Sequence, residues 1–212
     1  MCRLLWIRAP KPVQVTQHLE AFATICEHSS EYQGHGWGCA WLDDNQWRFH
    51  HSITPIWQDS LDGFNDTSLF LAHARSAFRD EGIRVENNMP FTNGNRVFIF
   101  NGELTGVRIR ESGRIGAEKI FNYSGRFSHL GALPGLQKTV EVIEKRTRYI
   151  RAMNLIIATP QQSLLSTQYN ENQGYFQMHR ASTDRFEIVC SEPYPLPDAK
   201  WQTIENRTVT EL

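Results

Sequence analysis

The chain opens Met1-Cys2-Arg3-Leu4-Leu5-Trp6, so apolar side chains begin almost at its first residue. Chain termini usually fray. A terminus this apolar is read instead as a strand drawn into a core, and the fold must be one that holds its own beginning inside. The same stretch carries chemistry. Cysteine is small enough for the initiator methionine before it to be trimmed. Trimming would leave a thiol and a free α-amine on one residue. A thiol is the best intrinsic nucleophile among side chains. An α-amine titrates at about 8, close enough to neutrality to take up and return a proton. The plain alternative is that Cys2 is an accident of an ordinary start, and the motif alone does not separate the two.

The 212 residues suffice for one large domain or two small ones. Hydrophobic residues at 40% and charged residues at 21% are a globular balance. A formal net charge of -1 provides no bulk attraction toward nucleic acid or acidic membranes, so neither is expected as a partner. No stretch approaches the roughly 20 apolar residues of a membrane span. Met1 to Pro12 lacks the apolar core of a signal peptide, which makes the cytoplasm the default location. Cys2, Cys26, Cys39 and Cys190 are scattered, with no C-x-x-C pair. Neither a zinc knuckle nor a disulfide framework is indicated, and no metal or cofactor is expected.

Along the chain, Ala9 to Pro12 reads as a two-proline loop and Val15 to His28 as a helix, with Val15, Leu19, Phe22 and Cys26 on one face. Alternation of Trp37, Cys39 and Trp41, a turn at Asp43-Asp44-Asn45, then Trp47 and Phe49, reads as a hairpin with one aromatic face. The glycines ahead of it suggest close backbone approach, to a ligand or to packed neighbours. Short helices are expected at Ala117 to Tyr123 and, longer, at Pro134 to Ile150. Strands are expected at Met153 to Thr159, Ser163 to Tyr169, Tyr175 to Arg180 and Phe186 to Cys190, with a last short one in the tail. No linker or repeat divides the chain, so residues 1–212 read as a single layered domain.

Two buried runs end on polar groups. Ser68 to Ala74 is nearly all apolar and stops at Arg75. An arginine there is costly unless paired. It either grips a substrate carboxylate through its two-pronged geometry, forms an internal pair, or snorkels its head to solvent. His73, just before it, reads as a hydrogen-bonded core histidine. Arg96 to Phe100 runs into Asn101-Gly102. That pair is a tight-turn signal. The pair taken alone favours the turn; the functional alternative is an oxyanion hole, with the Asn101 amide and Gly102 N–H donating to developing negative charge.

Taken in order, Met1-Cys2-Arg3, Gly36-Trp37-Gly38, Ala72-His73-Ala74-Arg75, Pro90-Phe91, Asn101-Gly102-Glu103-Leu104, Glu118 and Ser191-Glu192-Pro193 resemble the class II glutamine amidotransferases of the N-terminal-nucleophile hydrolase fold. The likeness is closest to short, stand-alone γ-glutamyl amidohydrolases, including the glutathione-degrading and ergothioneine-pathway members. The resemblance implies an α+β fold, a four-layer αββα sandwich. It implies a small-molecule amide substrate, cleaved through a γ-glutamyl thioester on Cys2 once Met1 is gone and the chain runs 2–212. It implies that Asn101 and Gly102 stabilise the oxyanion and that Arg75 binds the α-carboxylate, with Trp37, Gly38 and Glu118 also at the substrate.

The departures from the family pattern are specific. Ile115-Gly116-Ala117-Glu118 stands where the family usually has Thr-Asp-Ser/Thr-Glu, so Gly116 replaces the aspartate that receives the glutamine ammonium. Losing a hydrogen bond to a charged group costs about 1.5–3 kcal/mol, roughly 10- to 150-fold in affinity. His35, Phe78, Met89 and Phe100 also stand where Asp, Thr, His and His are common, which makes the pocket less polar. Either free glutamine is not the substrate or another carboxylate, Glu118 or Glu103, supplies the charge. Two alternatives accompany the hydrolase reading: a glutaminase subunit handing ammonia to a separate synthase partner, and a binding or regulatory protein on a retired scaffold.

Overall fold

The computed structural model describes residues 1–64, 66–197 and 199–212. Strand β1 (Arg3–Val13) leads into helix α1 (Thr16–Glu27) and the hairpin β2 (Trp37–Asp43) and β3 (Gln46–Ser52). Strands β4 (Thr67–Ala74), β5 (Phe91–Thr92) and β6 (Val97–Thr105) follow, then helices α2 (Gly116–Ser124) and α3 (Ala132–Lys145). The remainder is β7 (Tyr149–Ala158), β8 (Ser163–Thr167), a four-residue helix α4 (Gln173–Phe176), β9 (His179–Ser182), β10 (Glu187–Cys190), β11 (Gln202–Thr203) and β12 (Thr208–Glu211).

The apolar start sits at the centre of a seven-stranded sheet, ordered β11-β9-β10-β1-β4-β2-β3. β1 pairs antiparallel with β10 on one side and β4 on the other. A second, five-stranded sheet is ordered β12-β8-β7-β6-β5, again antiparallel throughout. The period-2 alternation of a strand explains how both sheets are covered on two faces. Leu5 and Ile7 of β1, and Phe70 and Ala72 of β4, pack with Leu19, Phe22 and Cys26 of α1. Leu4 and Trp6 of β1, and Leu69 and Leu71 of β4, face the other way and pack with residues of the second sheet. On the far face of that sheet Phe98 stacks on Phe121 of α2, ring centroids 5.1 Å apart. The layers therefore run helix, sheet, sheet, helices, the four-layer α+β sandwich expected.

Several local expectations change. Ala9 to Pro12 belongs to β1 and is not a loop. The pairing with β4 breaks register between Arg8 and Val13, where two prolines cannot donate to the ladder. The hairpin is aromatic on both faces. Trp41 lies opposite Arg48, whereas Trp47 and Phe49 lie opposite Leu42 and Ala40. Trp37 and Trp41 thus join the α1 side, while Trp47 and Phe49 join the inter-sheet side. Helix α3 ends at Lys145, because Tyr149 and Ile150 are recruited into β7 beside Thr105 and Leu104. Tyr175 begins no strand. Asn172 adopts a left-handed backbone (φ 49°) and starts α4, and β9 begins only at His179. Asn101-Gly102 is no turn, since β6 continues through both, opposite Asn154 and Met153.

Candidate active site

Arg3 fixes the N-terminus. Its guanidinium is buried, pairs with Glu192 at 2.7 Å, bonds Ser29 Oγ at 3.2 Å and lies 4.0 Å above the Tyr175 ring. Ser191 closes the opposite side: Leu4 N–H donates to its Oγ at 2.7 Å, and its own N–H donates to Leu4 O at 3.0 Å. Because pairing starts at Arg3, opposite Ala74, Cys2 is set at the end of a central strand.

Cys2 is half-buried and lines a cleft of about 930 Å³ together with Arg75, Gly102, Glu103 and Gly116. Its thiol points to Ser76 O at 3.8 Å. Burial raises the thiol pKa, against the opposing pull of the chain-terminal ammonium and Arg75. A thiol so placed is protonated at neutral pH and needs a base to react.

Arg75 is only 5% exposed, and its guanidinium Nη1 donates to Gly82 O at 2.9 Å and to Asn88 Oδ1 at 3.4 Å. Among the described residues no carboxylate lies within ion-pair distance of it, which removes the internal-pair alternative. A buried cation facing a cleft without a counter-charge is a ready anion site. His73 beside it is fully buried, and burial and Arg75 hold its ring at about 3, so it is neutral. The Phe100 backbone lies beside the ring and favours its protonated form, a weak contact that falls short of full hydrogen-bond geometry, so the expected bonded core histidine is at most loosely held.

Asn101 is 0% exposed, and neither its Oδ1 nor its Nδ2 has a partner among the described residues. Its register partner Asn154 shares the same face of the sheet. Asn154 Nδ2 reaches Phe176 O at 2.7 Å, which places that face toward the segment against which Met1 packs. Gly102 has no room for a side chain: a Cβ would meet Ala152 O at 2.4 Å and the Phe100 ring at 2.6 Å.

The structure brings Cys2, Arg75 and Gly102 to one cleft and leaves four expected residues outside its lining: Asn101, buried behind it, and Trp37, Gly38 and Glu118. Trp37 is fully buried, and its indole N–H donates to Asp59 at 2.8 Å. Gly38 is pressed against Met89 O, where a Cβ would come within 2.6 Å, so its glycine serves packing. The Glu118 carboxylate is held by Arg114, Nε to Oε1 at 3.0 Å. Glu103 lines the cleft but pairs with Arg151 at 3.2 Å. Glu31, Gln33, Arg151 and Tyr175 surround the N-terminus and were not singled out in the sequence, where they lie in polar or apolar stretches without a motif. No three His, Cys, Asp or Glu side chains converge as a metal site among the described residues. No helix among them is long and apolar enough to cross a membrane.

No protein-family model and no curated protein sequence significantly matches the chain. Solved structures do. The glutamine phosphoribosylpyrophosphate amidotransferase from B. subtilis superposes with a TM-score of 0.71 at 14% identity, over 100% of this chain and 49% of that one. This chain therefore spans about half that enzyme's length. A glutamine aminotransferase class-II domain protein from Silicibacter pomeroyi gives 0.66 at 14% identity, over 100% and 98%. A protein described as a predicted glutamine amidotransferase, from Pseudomonas aeruginosa, gives 0.63 at 14% identity, over 99% and 96%. The fold is that of the class II glutamine amidotransferases.

Proposed function

We propose that this protein is a cysteine-dependent amidohydrolase that cleaves the side-chain amide of glutamine or of a γ-glutamyl compound. The observation that carries this reading is the meeting, in one cleft, of the Cys2 thiol, Gly102 and a buried Arg75 guanidinium that has no carboxylate partner among the described residues. Met1 is removed, and the α-amine of Cys2 takes the thiol proton. Sγ bonds to the amide carbon, and the carbonyl electron pair moves to oxygen, where the Asn101 amide and Gly102 N–H stabilise it. Collapse breaks the C–N bond, and the leaving amine takes the proton from the α-amine. Water then cleaves the thioester, freeing the γ-carboxylate and the thiol. Arg75 binds the substrate α-carboxylate throughout.

A second reading, ammonia delivery to a separate synthase, is favoured by the likeness to half of an amidotransferase. Ammonia release that rises only when a partner is added would select it. A retired scaffold is disfavoured because the Asn101 amide is kept buried without a partner, a cost that structure alone does not explain.

The test is glutamate release from glutamine, glutathione and other γ-glutamyl amides by wild type and Cys2→Ala, with intact mass measured on both. Loss of Met1 and turnover confined to the cysteine form support the reading. A full-length mass in active cells, or equal rates from the two forms, would overturn it.

A further inference from the structure

Met1 occupies a seat with its own chemistry. Its ammonium is paired with Glu31. Its carbonyl oxygen accepts from Gln33 Nε2 and from the Tyr175 hydroxyl. Its side chain packs against an apolar group formed by Ala152, Tyr169, Tyr175 and Phe176. Gln33 is 0% exposed, and its Oε1 has no partner among the described residues. Arg151 stands between three carboxylates: Glu31 at 3.2 Å, Glu103 at 3.2 Å and Glu171 at 3.7 Å. Without Met1, one guanidinium faces all three. Across the same cleft lie Arg75, Arg79, Arg114 and Lys119. Glu31 and Glu103 are the carboxylates of that lining beside the N-terminus, and Glu81 is the third.

The reaction fixes which part of a substrate lies near Arg75 and which lies near Met1. The proton travels from the thiol through the Cys2 α-amine to the leaving nitrogen. The leaving group therefore lies on the amine side of Sγ. Met1 fills that side, being joined to the Cys2 nitrogen. The γ-glutamyl half lies toward Arg75.

We propose that the seat vacated by Met1 is the subsite for the leaving amine, and that it takes a short alkyl amine bearing a second, cationic amino group, received by Glu31 and Gln33. The subsite rests on the amidohydrolase reading for its orientation. The alkyl part covers Tyr175 and Phe176, and the distal ammonium repeats the contact Met1 makes with Glu31. The preferred substrates are γ-glutamyl amides of short diamines rather than glutamine, whose leaving group is ammonia and leaves the seat empty.

The probes are the γ-glutamyl monoamide of 1,4-diaminobutane and γ-glutamyl butylamide, matched in length and differing in the terminal charge. Binding is measured by calorimetry to Cys2→Ala, after intact mass has verified loss of Met1, with and without Glu31→Gln. Turnover is measured separately on the cysteine form. The cationic amide should bind about tenfold more tightly than the butyl amide, and Glu31→Gln should erase that advantage while leaving the butyl amide within about twofold. Equal binding of the two amides would overturn the subsite. So would Glu31→Gln weakening both equally, since Glu31 would then be holding the Cys2 amine. Charge-selective binding with no turnover leaves the subsite standing and removes the hydrolase reading. Glutamine turnover without charge selectivity removes the subsite alone.

Discussion

Asn101 and Asn154 lie opposite one another across β6 and β7, both fully buried, yet only one of them is satisfied. Asn154 donates to Phe176 O at 2.7 Å and accepts from Thr167 Oγ1 at 2.8 Å and Gln168 N–H at 3.1 Å. Asn101 has no partner among the described residues. The two should therefore separate stability from activity. Asn154→Ala should cost about 3 kcal/mol, from three lost bonds and the groups they leave behind. Asn101→Ala should leave the melting temperature within a few degrees and lower kcat by about 100- to 1,000-fold, the loss typical of one oxyanion donor. Thermal melts and glutamate release on the same preparations check both.

The proposed role of Arg75 is to bind the substrate α-carboxylate. Arg75→Lys keeps the positive charge but loses the planar fork. It should raise KM for γ-glutamyl amides about tenfold or more with a smaller change in kcat. An amide lacking the α-carboxylate should be turned over equally by both forms. Sensitivity of that truncated amide to the substitution would count against carboxylate binding.

Gly116 begins α2 and lines the cleft, and a Cβ built on it meets nothing within 4 Å. Gly116→Asp should be accommodated, and an acidic first-turn residue should stabilise the helix by about 0.3–1 kcal/mol. It should also lower KM for free glutamine by about tenfold, through a charge-assisted bond to the substrate ammonium. Steady-state kinetics with glutamine test this; an unchanged KM would mean that the ammonium is bound elsewhere.

His73 makes stability depend on pH. Burial and Arg75 hold its folded pKa at about 3, against about 6.5 in an unfolded chain. Between these values the unfolded state binds the extra proton, so stability is full above about 6.5 and falls as pH drops toward 3. The slope reaches about 1.4 kcal/mol per pH unit from this residue. His73→Phe should make the decline shallower by that amount, read from urea melts between pH 4 and 7 on the scale of about one titrating group.

The layers were legible because the strands that build them are apolar on both faces: Leu4 to Ile7 and Leu69 to Ala72 alternate between two cores, and no other environment suits them. That Cys2, Arg75 and Gly102 come to one cleft follows from the sequence, because each sits at or beside the end of such a run. Local periodicity could not assign Tyr175, whose aromatic ring suits a strand as well as the helix turn that Asn172 starts. Nor could it assign Glu31 and Gln33, which follow α1 in a polar stretch and gain meaning only when the chain's first residue folds back onto them. Glu118 shows a local partner that the family pattern does not reveal. Its spacing matched a pattern, but Arg114 four residues earlier claims its carboxylate.

Sheet pairing begins at Arg3, so anything fused ahead of Cys2 has to leave the molecule past Glu31 and through the mouth of the cleft. An affinity tag placed at that end would plug the cavity and cap the sulfur-bearing residue at once. Purification handles for this protein belong after β12, where Thr208–Glu211 forms the outer strand of the second sheet.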